Sequence, residues 1–190
     1  MTDLALETRD GLPDALRVLV EVYPRQGWTQ DPGFDGLIRF WLDRHLMFRR
    51  LMNEMRTGTE ALLDRKIEAR AFAGQVSRYG GMFVNGLHEH HTIEDTYYFP
   101  KLQAKDDRVA RGFDILDADH HALDGHLAAF VDSANGVLSR LDDRSLLQDN
   151  AATFKASLND MERLLNRHLT DEEDLVVPVI LKYGSSDLGG

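Results

Sequence analysis

Four times along this chain an apolar run recurs at alternating steps of three and four, and each run has one histidine inside it. The first reads Phe34, Ile38, Trp41, His45, Phe48, Met52, Met55. The second reads Phe83, Leu87, His90, Glu94, Tyr97. The third reads Val109, Phe113, Leu116, His120, Leu123, Leu127, Phe130, and the fourth Phe154, Leu158, Met161, Leu165, His168, Glu172, Leu175, Val179. That spacing keeps side chains on one face of an α-helix and scatters them on a strand. A sustained period of two and a hairpin turn between β-branched runs are both missing. Four striped helices bury their stripes most simply against each other. The prediction is an all-α, up-down-up-down antiparallel four-helix bundle.

Turn residues set the expected boundaries. The long helices are predicted over Pro32–Asp64, Glu68–Tyr98, Asp107–Leu141 and Ser145–Val177, the second and fourth stopping before Pro100 and Pro178. A short extra helix is predicted over Pro13–Tyr23, followed by a loop, Pro24–Gly33, that contains Trp28. Residues 1–30 are then an N-terminal helix and loop packing on the bundle, 31–182 the bundle, and 183–190 a flexible tail of turn composition.

The histidines carry the chemistry. Each is flanked by apolar residues on its stripe, so each is expected to face the core. Two of the stripes also bear a glutamate, and a buried carboxylate is costly unless compensated. A pair of divalent cations held by His45, His90, Glu94, His120, His168 and Glu172 accounts for all six residues, because neutral imidazole and ionised carboxylate are both metal donors. His90 and Glu94 are four apart, as are His168 and Glu172, so each pair shares a helix face. Both pairs have the form H-x3-E-[DE]-x4-P, ending at Pro100 and Pro178. The repetition points to two related half-sites, completed by His45 and His120 from the preceding helices. Asp124, four residues after His120, lies beside its stripe as a further candidate ligand. His91 and His121 flank the seam by one residue and are alternatives to their neighbours. His88 and His126 fall on outer faces, and Tyr97 reads as a core aromatic.

Composition narrows the partners. No cysteine occurs, which excludes disulfides, thiolate metal sites and iron–sulfur clusters within the chain. The formal charge of −10 disfavours nucleic acid. No apolar run approaches the roughly 18 residues of a membrane span, and the first residues lack a leader pattern. The expectation is a cytoplasmic protein, monomer or homodimer, that binds neither membrane nor nucleic acid.

These residues resemble the hemerythrin-like family of HHE cation-binding domains. The likeness lies in Asp43-Arg44-His45, in His88-Glu-His-His-Thr-Ile-Glu94-Asp with Tyr98-Phe99-Pro100, in Asp119-His120-His-Ala-Leu123, and in His168-Leu-Thr-Asp-Glu172-Glu173 with Pro178. It spans roughly residues 34–180. It implies a non-haem di-iron centre, with zinc or manganese as other candidate metals. It also implies the four histidines as terminal ligands and Glu94 and Glu172 as bridges. Oxygen-carrying members have a further histidine where this chain has Asp124, so oxygen transport is not implied. The function expected is binding or reaction with oxygen, nitric oxide or peroxide, or the sensing of iron or oxygen. The alternative is a metal-stabilised interaction or sensor module without turnover.

Overall fold

The computed structural model describes residues 4–189; residues 1–3 of the expected N-terminal segment and residue 190 of the expected tail lie outside them. Among the described residues there are six α-helices and no strand. They are α1 (Val18–Val22), α2 (Gly36–Leu63), α3 (Ala69–Ile93), α4 (Phe99–Gln103), α5 (Ala110–Leu138) and α6 (Arg144–Tyr183). Two 3-10 stretches, Asp14–Leu16 and Arg25–Gln30, flank α1, and a π-helical turn, Glu94–Tyr98, joins α3 to α4.

Local chemistry sets the ends. Asp35 accepts the Ile38 amide (3.0 Å) at the start of α2. Asp143 accepts the amides of Ser145 and Leu146 (both 3.1 Å) at the start of α6. α2 closes with Arg65 at a φ of 60° while the Lys66 amide returns to the Ala61 carbonyl (2.8 Å). This is the left-handed closure usually given to glycine.

The two prolines do not end their helices as expected. Pro178 lies inside α6, which continues to Tyr183. A proline inside a helix costs about 3 kcal/mol. Val177, Val179 and Ile180 are all fully buried around it, and each such side chain contributes about 1.5–3 kcal/mol. Packing therefore outweighs the lost hydrogen bond. Pro100 falls in the first turn of α4, where its missing N–H does little harm. The π turn before it shifts the helical phase. The Phe99 amide donates to the Glu94 carbonyl, five residues back. The inward face then continues through Phe99 and Leu102, and Tyr97 is 38% exposed instead of buried. Every other residue of the four stripes is buried except Phe34, which is half-buried.

The packing divides into two units, one made of the chain through Leu46, His90–Ala122 and the chain from Asn166 onward, the other of Met47–Glu89 and Leu123–Leu165. The second unit is centred on four buried phenylalanines. Successive ring centroids of Phe48, Phe83, Phe130 and Phe154 are 6.3, 5.7 and 5.5 Å apart. In the first unit, Leu12, Leu16, Leu19 and Trp28 from the N-terminal segment join Ile38, Trp41, Phe113, Val176 and Ile180 in one core. Trp28 is buried in a 3-10 turn, not displayed in a loop, and its indole N–H donates to the Tyr23 carbonyl (2.8 Å). The tail is likewise anchored where flexibility was expected. Leu188 is 1% exposed in the same core, and Lys105 pairs with Asp187 (2.6 Å).

Candidate metal centre

All the histidines and carboxylates that matter chemically lie in the first unit. α2 supplies His45, α3 supplies His90 and His91, the π turn supplies Glu94, α5 supplies His120, and α6 supplies His168 and Glu172. Among the described residues two groups have donor atoms all within 4.8 Å of one another: His45, His90, Glu94 and Glu172 in one, His91, His120 and His168 in the other. All seven side chains are buried.

The imidazoles are paired tip to tip. His45 Nε2 lies 3.1 Å from His90 Nε2, and His120 Nε2 lies 3.2 Å from His168 Nε2. The two glutamates span the pairs. Glu94 places one oxygen 3.0 Å from His90 Nε2 and the other 3.6 Å from His120 Nε2. Glu172 places one oxygen 3.3 Å from His45 Nε2 and the other 3.4 Å from His168 Nε2. Donors bound to one ion at about 2.1 Å, at right angles to each other, are about 3.0 Å apart. The observed spacings have that scale.

Three carboxylates outside this shell fix the ring orientations. Glu173 lies 2.9 Å from His45 Nδ1, Asp95 2.7 Å from His120 Nδ1, and Asp119 3.2 Å from His168 Nδ1. An Nδ1–H donated to a carboxylate leaves the Nε2 lone pair for a metal. This also explains the repeated acidic residue after each glutamate. Glu173 follows Glu172 and holds the histidine of α2; Asp95 follows Glu94 and holds the histidine of α5. Trp41 adds a donor, its indole N–H bonded to Glu172 Oε1.

The residues fit a bound cation, and the unsatisfied atoms show it. Both oxygens of Glu94, one oxygen of Glu172 and Nε2 of His91 are buried without a hydrogen-bond partner. A buried orphan acceptor costs about 1–3 kcal/mol, more when charged, so four such atoms within these two groups call for cation partners. Electrostatics agree. For the protein alone, burial and then the Glu172 charge push Glu94 well above the usual carboxylate range. Burial also opposes ionisation of Glu172, but His45 and His168 outweigh it and hold Glu172 low. Burial lowers His90 to about 3 and lowers His91 and His120 as well, keeping all three neutral. Neutral imidazoles are what a metal binds.

The family model of the hemerythrin HHE cation binding domain matches residues 36–180. The chain belongs to the hemerythrin family. No curated protein and no solved structure matches it. The hemerythrin match begins at the start of α2, so the first 35 residues lie ahead of it.

Six of the seven sequence-expected ligands of this hemerythrin domain come together; Asp124 does not. It is exposed and belongs to neither group. Around His120 the inward residues of α5 are Leu116, Asp119, Leu123 and Leu127, and one helical turn beyond His120 the 40° of overshoot carries Asp124 to solvent. His91 is the residue that groups with His120 and His168. It stacks on His120 with centroids 3.9 Å apart and planes at 10°. The apolar stripe favoured His90 alone, whereas both neighbours are buried. His121 is exposed, 2.8 Å from the Asp117 carbonyl, and His88 is exposed too. No helix of the described residues is long and apolar enough to cross a membrane.

Proposed function

We propose that this hemerythrin domain is a non-haem di-iron protein that binds or reacts with a small ligand of the oxygen, nitric oxide or peroxide class. In this reading the helices α2, α3, α5 and α6 run in up-down-up-down order. The observation that carries the reading is the placement of Glu94 and Glu172. Each is fully buried and turns one oxygen toward each histidine pair, the arrangement of a carboxylate bridging two ions. In this reading His45 and His90 hold one ion, and His91, His120 and His168 hold the other.

The bound irons would supply Lewis acidity and one-electron redox chemistry. The chain's own residues do the rest. Two histidines and two shared carboxylates make four donors on the His45 side. Three histidines and the same carboxylates make five on the other. With fewer donors, the His45 side would leave a small ligand the most room, beside Trp41, whose ring meets His90 edge-on at 6.1 Å. Trp41 holds Glu172 in its bridging orientation and Phe99 stacks on His120 at 5.4 Å, so apolar rings exclude water from the donors. The reading is tested by metal analysis of protein purified with iron, with optical spectra recorded before and after oxygen, nitric oxide or peroxide. Close to two irons per chain and ligand-dependent bands are expected. Well under one iron per chain that cannot be restored by reconstitution overturns it.

A further inference from the structure

The segment ahead of the family match contributes two arginines to the centre. Arg9 is buried, its side chain 2% exposed. Its guanidinium forks onto both oxygens of Asp119 (2.6 Å from Nη1 to Oδ1) and onto Asp171 (2.9 Å). Asp119 in turn faces His168 Nδ1. Arg25 donates to Glu173 (2.6 Å), to Asp174 (2.7 Å) and to the Thr170 carbonyl (2.8 Å). Glu173 faces His45 Nδ1. One arginine therefore stands behind one histidine of each ion's donor set.

The third such carboxylate shows why the arginines are there. Asp95 holds His120 and is 27% exposed, so water can solvate its charge. Asp119 and Glu173 are only 3% and 5% exposed. A carboxylate that deep is out of reach of water, so a cation beside it meets its oxygens instead. Held in that way it keeps the imidazole N–H in place and raises the donor strength of Nε2. Arg9 forks onto both oxygens of Asp119 and fixes that carboxylate's rotation, while the planar guanidinium of Arg25 ties Glu173 to Asp174 and to the Thr170 carbonyl; a lysine has no such fixed geometry.

We infer that Arg9 and Arg25 are positioning residues of the metal centre, each setting the orientation and donor strength of one histidine through an Arg–carboxylate–His relay whose carboxylate is buried, Arg9 for His168 and Arg25 for His45. The N-terminal segment is then a working part of the site and not only a cover for apolar surface. The inference rests on the di-iron reading.

The test uses the full chain loaded with ferrous iron under anaerobic conditions. Iron is counted, then its release to an excess of a coloured chelator is timed, and the two irons are resolved by Mössbauer spectroscopy. The variants are Arg9→Met, Arg25→Met, Arg9→Lys and Arg25→Lys. Arg56→Met, which removes an ion pair to Glu162 in the other unit, is the control for general loss of stability. Partners of this kind are worth about 10–100-fold in metal affinity. Each methionine variant is expected to release one iron at least about tenfold faster and to shift one quadrupole doublet, a different one for each arginine. The lysine variants should recover part of the rate. If Arg9→Met fails to fold, Arg9→Lys and Arg25→Met carry the comparison. Rates within threefold of the control, or both doublets altered alike by either variant, overturn the inference. A wild-type chain that holds under one iron overturns the di-iron reading instead.

Discussion

Replacing His91 by leucine separates a metal ligand from a packing residue. In the chelated protein two effects oppose each other. The substitution removes a buried Nε2 that has no partner, a relief of about 1–3 kcal/mol. It also removes a parallel ring contact with His120 at 3.9 Å, worth about 0.5–1.5 kcal/mol. The two nearly cancel, so chelated variant and chelated wild type should melt within a few degrees of each other. With iron the outcome differs. Outer partners alone are worth about 10–100-fold in affinity, so a direct donor is worth at least about 100-fold. Binding weakened that much lowers the metal-linked stabilisation by about 2.7 kcal/mol. For a domain of this size each kcal/mol moves Tm by about 2–4 °C, so the iron-dependent gain should shrink by roughly 5–11 °C. The assay is calorimetry with and without ferrous iron, paired with an iron count that should fall from about two toward about one. A variant with the wild-type iron count and the full iron-dependent gain refutes the role given to His91, whatever happens to the chelated protein.

The remaining predictions need simpler measurements. In the chelated protein, burial opposes the charge on His168, but Asp119 and Glu172 outweigh it and raise it to about 9; Glu172 and Glu173 raise His45 likewise. A raised histidine stabilises the fold fully below its unfolded value of about 6.5 and loses that contribution as pH climbs through its folded value. The raised Glu94 acts in the same direction, so Tm should fall between about pH 6.5 and about pH 9, and a flat or rising profile contradicts the assignment. Asp124→Asn should leave iron content and optical bands unchanged, since Asp124 is exposed outside both donor groups; loss of iron would restore it as a ligand. Arg65→Gly should stabilise the chain by about 1 kcal/mol in urea unfolding, because relief of the left-handed backbone exceeds glycine's entropy cost; a destabilised variant would mean the side chain carries more than the turn.

Much of this protein is local enough to be read along the chain. Helical periodicity determined the four stripes, and all but Phe34 and Tyr97 are buried as the phase requires. The same phase determined six residues that meet at the centre, because a histidine and a glutamate four apart share a face wherever the helix packs. The repeated acidic residue was visible too, though its use, Glu173 for His45 and Asp95 for His120, is a contact across helices. The rest is set by contacts between elements far apart along the chain. Periodicity chooses one residue from the neighbours His90 and His91, which point 100° apart, yet both are buried where a helix is covered on more than one side. The π turn moved Tyr97 outward and Phe99 inward, an extra residue that an even helical count cannot show. α6 is buried on every face from Asp171 to Leu181, because the N-terminal segment lies over its outer side and sends Arg9 to Asp171 and Arg25 to Asp174. Those pairs join residues 162 and 149 positions apart along the chain. Spacing on one helix carries no information about such partners: periodicity selects the side chains that face inward, and the folded chain selects the charges they meet there.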